Sequence, residues 1–210
     1  MKILLADIGN TFTKFCLFNF NYSKISNIRT LETKKISNIN YIKKKLFFLK
    51  SHNIKNSLVA SVVPKTYKKL KKILKNIYTI STNEIMENNY FKPIKINLKN
   101  KSNLGSDRLA NAIAVYKKYK SNCIVVDFGT ATTFDVVTKH GIYNGGVIVP
   151  GIDISIKAIH HATAKLPLIT LKKIKTVIGK NTRDAMISGF FWGYSGIISN
   201  IIKGIEKESR

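Results

Sequence analysis

The chain holds two cysteines, four prolines, one tryptophan and 11 acidic residues against 36 basic ones in 210 positions. Cys16 and Cys123 lie in separate apolar runs with no CxxC and no matching histidine spacing, which excludes a disulfide-stapled scaffold and predicts reduced thiols in the core. His52, His140, His160 and His161 form no Cys/His ligand set, so catalytic zinc is not expected, and His160 and His161 are placed on a helix surface. The start, Met1-Lys2 followed by a short apolar stretch broken by Asp7, does not read as a secretion signal, and a cytoplasmic protein is expected. Long hydrophobic runs are nearly absent. The exception, Ala185–Ile202, is uncharged and carries Gly189-x-x-x-Gly193, but Ser188, Tyr194, Ser195, Ser199 and Asn200 dilute it. It reads as a buried helix packed through its glycine face rather than a membrane span.

The shortage of acid leaves a formal net charge of +25, which invites a nucleic-acid reading because clustered cations neutralise phosphates. Arginine is scarce, however: only Arg29, Arg108, Arg183 and Arg210 occur. Lysine supplies the rest alongside abundant Ile and Asn, residues that share AT-rich codons, so base composition accounts for the excess. Nucleic acid is not an expected partner, although a general preference for anions remains. The lysine runs at 43–45 and 68–72 fall among Leu46, Phe47, Leu70 and Ile73 and read as solvated helix faces with aliphatic stems.

With 44% hydrophobic and 22% charged residues the composition is that of a folded globular protein. Ile3–Phe20 reads as two strands around a Gly-containing turn, Ser57–Val63 as a buried strand closed by Pro64, and Ile39–Leu49 and Tyr67–Ile77 as helices. Asn97–Leu104 is a polar linker or lid, after which Asp107–Tyr119 resumes a helical pattern. Cys123–Val137 repeats the strand–turn–strand signature, Gly145–Ile154 supplies another strand, and Thr182–Ile205 reads as a long helix. Interleaved strands and helices in both halves predict an α/β protein with domains 1–104 and 105–210.

An internal repeat organises this pattern. Leu4-Leu5-Ala6-Asp7-Ile8-Gly9-Asn10-Thr11-Phe12-Thr13 aligns with Ile124-Val125-Val126-Asp127-Phe128-Gly129-Thr130-Ala131-Thr132-Thr133 at a constant offset of 120. A phosphate chain needs backbone N–H donors at close range, which Gly permits, and hydroxyls of Thr or Asn add more. A carboxylate repels phosphate unless Mg²⁺, its waters or a monovalent ion lies between them. A single D-x-G-x-T also suits an ordinary tight turn; the matched pair favours the phosphate reading. Aspartate is otherwise rare, occurring at 7, 107, 127, 135, 153 and 184. In Gly105-Ser106-Asp107-Arg108 a carboxylate and a guanidinium open a predicted helix, where the dipole attracts anions. Plain capping by Ser106 or Asp107 is the alternative; Arg108 beside it suits a bidentate grip on a substrate carboxylate.

With Asp7–Thr11, Gly105–Arg108, Asp127–Thr133, Gly145-Gly146 through Pro150-Gly151 and Asn181-Thr182 in this order, the chain resembles type III pantothenate kinases over nearly its whole length. The resemblance implies the fold of the acetate kinase, sugar kinase, Hsp70 and actin superfamily, with two duplicated RNase H-like halves and nucleotide in the cleft between them. It implies that Asp7, Ile8, Gly9, Asn10, Thr11, Phe12, Thr13 and Lys14 form the first ATP phosphate loop, with Thr130 contacting ATP from the second. Asp127 would bind potassium or ammonium. Gly105, Ser106, Asp107 and Arg108 would bind pantothenate, Asp107 accepting the proton of its primary hydroxyl and Arg108 engaging its carboxylate. Thr182 would touch pantothenate near a homodimer interface. The activity implied is phosphorylation of pantothenate by ATP with Mg²⁺, the first step toward coenzyme A, in a soluble protein with no membrane partner.

Two departures stand out. Leu98 occupies the position of a substrate-contacting Tyr, which Tyr90 cannot be assigned to replace, and the chain is shorter than many relatives. Other functions on this fold are a transcriptional accessory protein, favoured by the charge, and a kinase of another small hydroxy acid, favoured by Leu98.

Overall fold

The computed structural model describes residues 1–87 and 93–209. The chain forms two units, Met1–Lys120 and Ser121–Arg210. The division expected at 104/105 instead falls after the helix that follows Gly105, because this helix packs onto a strand of the first unit.

In the first unit β1 (Lys2–Ile8), β2 (Phe12–Asn19) and β3 (Lys24–Glu32) run antiparallel, and β4 (Asn56–Ser61) and β5 (Ser81–Glu84) extend the sheet parallel to β1. Their order is β3-β2-β1-β4-β5, the arrangement expected of an RNase H-like half. Helix α1 (Ile39–Lys45) precedes β4, α2 (Pro64–Tyr78) crosses from β4 to β5, and a short β6 (Lys95–Ile96) and α3 (Ser106–Tyr119) follow. Strand alternation turns Leu4, Ala6 and Ile8 inward with Phe15, Leu17 and Val59, against Ile42 of α1 and Tyr67, Leu70 and Leu74 of α2. The buried α2 positions recur at helical spacing, and Lys65, Lys68, Lys69, Lys72 and Lys75 are exposed, as expected of solvated helix faces. Pro64 is the first residue of α2, where its missing N–H costs nothing, and β4 ends before it at Ser61.

Besides the two-residue β6, the sequence did not reveal two strands, and both are polar. β3 buries only Leu31 and forms the sheet edge, and β5 is Ser-Thr-Asn-Glu. Just after β5, burial raises the Glu87 carboxyl pKa, but the Glu84 N–H, Lys71 and Tyr67 outweigh it and hold the group below its usual range. A depressed carboxyl stabilises the fold above its unfolded pKa, and that contribution fades as pH falls through the folded value.

The second unit is a meander of β7 (Cys123–Phe128), β8 (Ala131–Val137) and β9 (Ile142–Pro150), followed by α4 (Ile152–Ala162) and α5 (Thr182–Glu208). The strand expected over Gly145–Ile154 thus gives way to a helix at Ile152. Ile156, Ile169, Met186 and Ile187 form the core between α4, α5 and the segment joining them. The Tyr194 hydroxyl bonds to the Thr132 hydroxyl and donates to Pro150 O (3.1 Å), tying α5 to the sheet. Asp135, fully buried, accepts from the Tyr143 hydroxyl at 2.6 Å.

Helix α5 overturns one expectation. By length and composition it is apolar enough to cross a membrane, but its glycine face is not its packing face. A Cβ at Gly189, Gly193 or Gly196 would meet nothing within 4 Å. At about 100° per residue these glycines lie on the side opposite Ile187, Tyr194 and Ile205, three of the five buried residues of the helix; the other two, Met186 and Ser188, flank Ile187 in its first two turns. The cysteines are half-buried rather than core, with burial raising the Cys16 thiol pKa.

Leu74 is fully buried between α2 and the sheet. Leu74→Ala is expected to lower the unfolding free energy by about 2–5 kcal/mol in urea titration.

Candidate active site

Parallel pairing sets Asp7 beside Ala60 and Ile8 beside Ser61, so β1 and β4 end together at one edge of the sheet. This is the edge at which α/β sheets receive ligands. The turn leaving β1 closes with Gly9 N–H donating to Phe12 O at 3.0 Å. Of the eight residues expected to form the first phosphate loop, Ile8 and Thr13 are fully buried, so their side chains belong to the core. Asp7, Asn10, Thr11, Phe12 and Lys14 are exposed, and Asp7 faces Lys14 across the hairpin.

The second motif of this unit arrives at the same edge through one hydroxyl. Ser61 N–H donates to Ser106 Oγ at 2.5 Å, and the Ser106 hydroxyl donates back to Ser61 O at 3.1 Å. Next to this clasp, Val62 N–H donates to Ile8 O at 3.1 Å. The amino end of α3 is therefore tied to the end of β4, and β4 to the end of β1. Ser106 is buried by this arrangement, while Gly105, Asp107 and Arg108 are half-buried. Gly105 has an ordinary φ of −62°. What it provides is space: a Cβ there would stand 2.5 Å from Asp107 Oδ1 and 3.2 Å from Val62 Cγ1. Asp107 Oδ1 also accepts Arg108 N–H at 2.7 Å, which fixes the carboxylate over the first turn of α3.

In the second unit the repeated turn keeps the same design, one residue tighter. Gly129 N–H donates to Ala131 O at 3.0 Å. Asp127, next to last in β7, pairs with Thr133, and both Asp127 and Thr130 are exposed. Pro150-Gly151 carries the support: Gly151 N–H donates to Thr130 O at 2.9 Å, and a Cβ on Gly151 would lie 2.2 Å from Gly129 O. Only glycine permits so close an approach. Thr182 is the exposed first residue of α5, beside the capping Asn181, whose side chain accepts Asp184 N–H at 2.9 Å.

No group of three or more His, Cys, Asp or Glu residues able to hold a metal occurs among the described residues. Single exposed carboxylates at Asp7 and Asp127, with threonine hydroxyls nearby in sequence, fit a hard cation that keeps water and phosphate oxygens as its other ligands. Leu98 is half-buried, and Tyr90 lies outside the described residues. Sequence reasoning missed Ser61, whose role rests on backbone atoms, and singled out Gly151 as part of a motif without its close approach to Gly129 and Thr130. The one available signal was a small polar residue ending a buried strand just before Pro64.

A family model described as type III pantothenate kinase matches residues 3–204. The chain belongs to the type III pantothenate kinase family. A type III pantothenate kinase of Pelagibacter ubique is 45% identical over 209 residues, spanning 99% of this chain and 83% of the relative. One of Persephonella marina is 39% identical, spanning 98% and 82%. Among solved structures, a Baf family protein of Campylobacter jejuni with a transcriptional-activator name superposes with TM-score 0.54 at 24% identity, covering 94% of this chain and 78% of that one, and so shares the fold. In this pantothenate kinase family member the serine clasp is open to a direct test. Ser106→Ala leaves the Ser61 N–H and C=O without their partner and is expected to cost about 1–3 kcal/mol of stability in equilibrium denaturation.

Proposed function

We propose that the protein phosphorylates pantothenate at its primary hydroxyl with ATP, giving 4′-phosphopantothenate, the first step toward coenzyme A. The observation that carries this reading is the convergence of the Asp7–Lys14 turn and the Gly105–Arg108 helix start on one sheet edge, joined through Ser61. A phosphate loop and an acid–guanidinium pair on one rigid edge suit in-line phosphoryl transfer, which depends mainly on positioning and charge stabilisation.

Asp107 accepts the proton of the primary hydroxyl as that oxygen attacks the γ-phosphorus, and its hold over Gly105 keeps the carboxylate in one orientation. Arg108 grips the pantothenate carboxylate, and Thr182 contacts the same substrate. The turn from Gly9 to Phe12 presents backbone donors and the Thr11 hydroxyl to the ATP phosphates, Lys14 adds positive charge, and Thr130 binds ATP from the repeated turn. Mg²⁺ bound with the nucleotide would neutralise charge on the phosphate oxygens, and Asp7 is the residue that would hold it. Asp127 would hold potassium or ammonium. Two copies are proposed to pair, and the open glycine face of α5 with exposed Trp192 and Ile197 supports this. A cytoplasmic location accords with these substrates.

An assay coupling ADP release to pantothenate addition, with Mg²⁺ and with or without K⁺, tests the reading. Turnover is expected to require pantothenate and to rise with K⁺. Asp107→Asn is expected to lower kcat by about 10²–10⁴-fold while nucleotide binding persists. Normal turnover in that variant would remove Asp107 from the base role, and silence of the folded wild-type chain with pantothenate would transfer the reading to another hydroxy acid.

A further inference from the structure

Thr33 follows β3, stands outside every motif, and is 6% exposed. It makes two bonds to the turn that leaves β1 and a third to the start of β2. Its N–H donates to Thr11 O at 2.9 Å and its hydroxyl donates to Gly9 O at 2.7 Å. The third is shared with the Thr13 hydroxyl at 3.0 Å, within the buried interior. A threonine hydroxyl has one hydrogen, and that of Thr33 is committed to Gly9 O. The Thr13 hydroxyl is therefore the donor to Thr33, and a directed chain runs from Thr13 through Thr33 to Gly9 O.

The consequence follows from the planarity of the peptide bond. In a trans peptide the C=O and N–H point in opposite directions. With Gly9 O held inward by Thr33, the Asn10 N–H is turned outward, to the side on which the exposed Asn10 and Thr11 lie. Gly9 has no side chain to resist rotation of that peptide, so the orientation has to be imposed from elsewhere. The Gly9 N–H is already committed to Phe12 O, so the direction of the Asn10 N–H bears directly on what the turn offers an anion.

We propose that Thr33 is the positioning residue of the first phosphate loop: it locks the Gly9–Asn10 peptide with its carbonyl inward and its N–H aimed at the nucleotide phosphates. This rests on the reading of residues 7–14 as that loop. Thr33 touches no substrate, and its effect passes through the Gly9–Asn10 peptide.

The test compares Thr33→Val, which keeps shape and loses the hydroxyl, with Thr33→Ser, which keeps the hydroxyl and loses a methyl. Thr33→Val is expected to raise KM for ATP, and to weaken ADP binding in calorimetry, by about ten- to a hundredfold, with KM for pantothenate unchanged. Thr33→Ser is expected to restore nucleotide affinity. Thr13→Val, which removes only the upstream donor, is expected to shift KM for ATP in the same direction by less, and it serves in place of Thr33→Val should that variant not fold. Unchanged nucleotide affinity in Thr33→Val, or equal losses for ATP and pantothenate, would overturn the proposal. The calorimetry needs no acceptor, so a wild-type chain that binds ADP but ignores pantothenate removes the acceptor assignment and leaves this inference standing. A wild-type chain that binds no nucleotide removes both.

Discussion

The parallel pairing of β1 with β4 is the constraint on which the first unit depends. Antiparallel hairpins form locally, but a parallel neighbour has to return through a crossover, and here that crossover arrives before the ligand-bearing residues are complete. Leu4, Ala6, Ile8 and Val59 make the pairing favourable by presenting one apolar face to α1 and α2. Its register brings Ile8 level with Ser61, and everything at the sheet edge is placed from there. The turn proposed to bind phosphate leaves from β1, and α3 docks on the strand beside it.

Both motifs of this unit are held by buried hydroxyls, that of Thr33, outside every motif, and that of Ser106, one of the residues expected to meet pantothenate. Ser106 spends its side chain on the backbone of Ser61, which fixes where α3 begins and so where Asp107 and Arg108 stand. Thr33 does the equivalent for the turn after β1, from the opposite side of the hairpin. Buried hydroxyl-to-backbone bonds are well suited to this work, because each leaves an uncompensated polar group if the geometry slips. The second unit reaches the same end by closeness instead. Gly151 lies so near Gly129 and Thr130 that a single added carbon would displace the turn.

Much of this is legible in the amino-acid sequence. The repeated D-x-G turns, the strand character of β1, β4, β7 and β8, and the helices α2, α3 and α5 all follow from periodicity and punctuation. Strands β3 and β5 are not legible, because an edge strand that buries only Leu31 and a four-residue Ser-Thr-Asn-Glu strand carry no apolar alternation. Pro64 is legible as a boundary, but its side is not: a proline ends a strand and opens a helix with equal ease. The glycine spacing of α5 reads as a packing face, whereas the tyrosine and isoleucines on the other side of the helix carry the contacts.

Family, candidate residues and their chemical types are all written in the order of amino acids, because a turn suited to phosphate restricts its residues to glycine, small hydroxyls and a carboxylate wherever it stands. The tertiary structure alone decided which residues hold those groups in place. Thr33 is separated from Gly9 by 24 positions and Ser106 from Ser61 by 45, distances over which no periodicity or spacing rule operates. Their partners are backbone atoms, which every residue possesses and no sequence pattern marks. Only the folded sheet, by fixing the register of β1 against β2 and β4, makes those particular peptides neighbours.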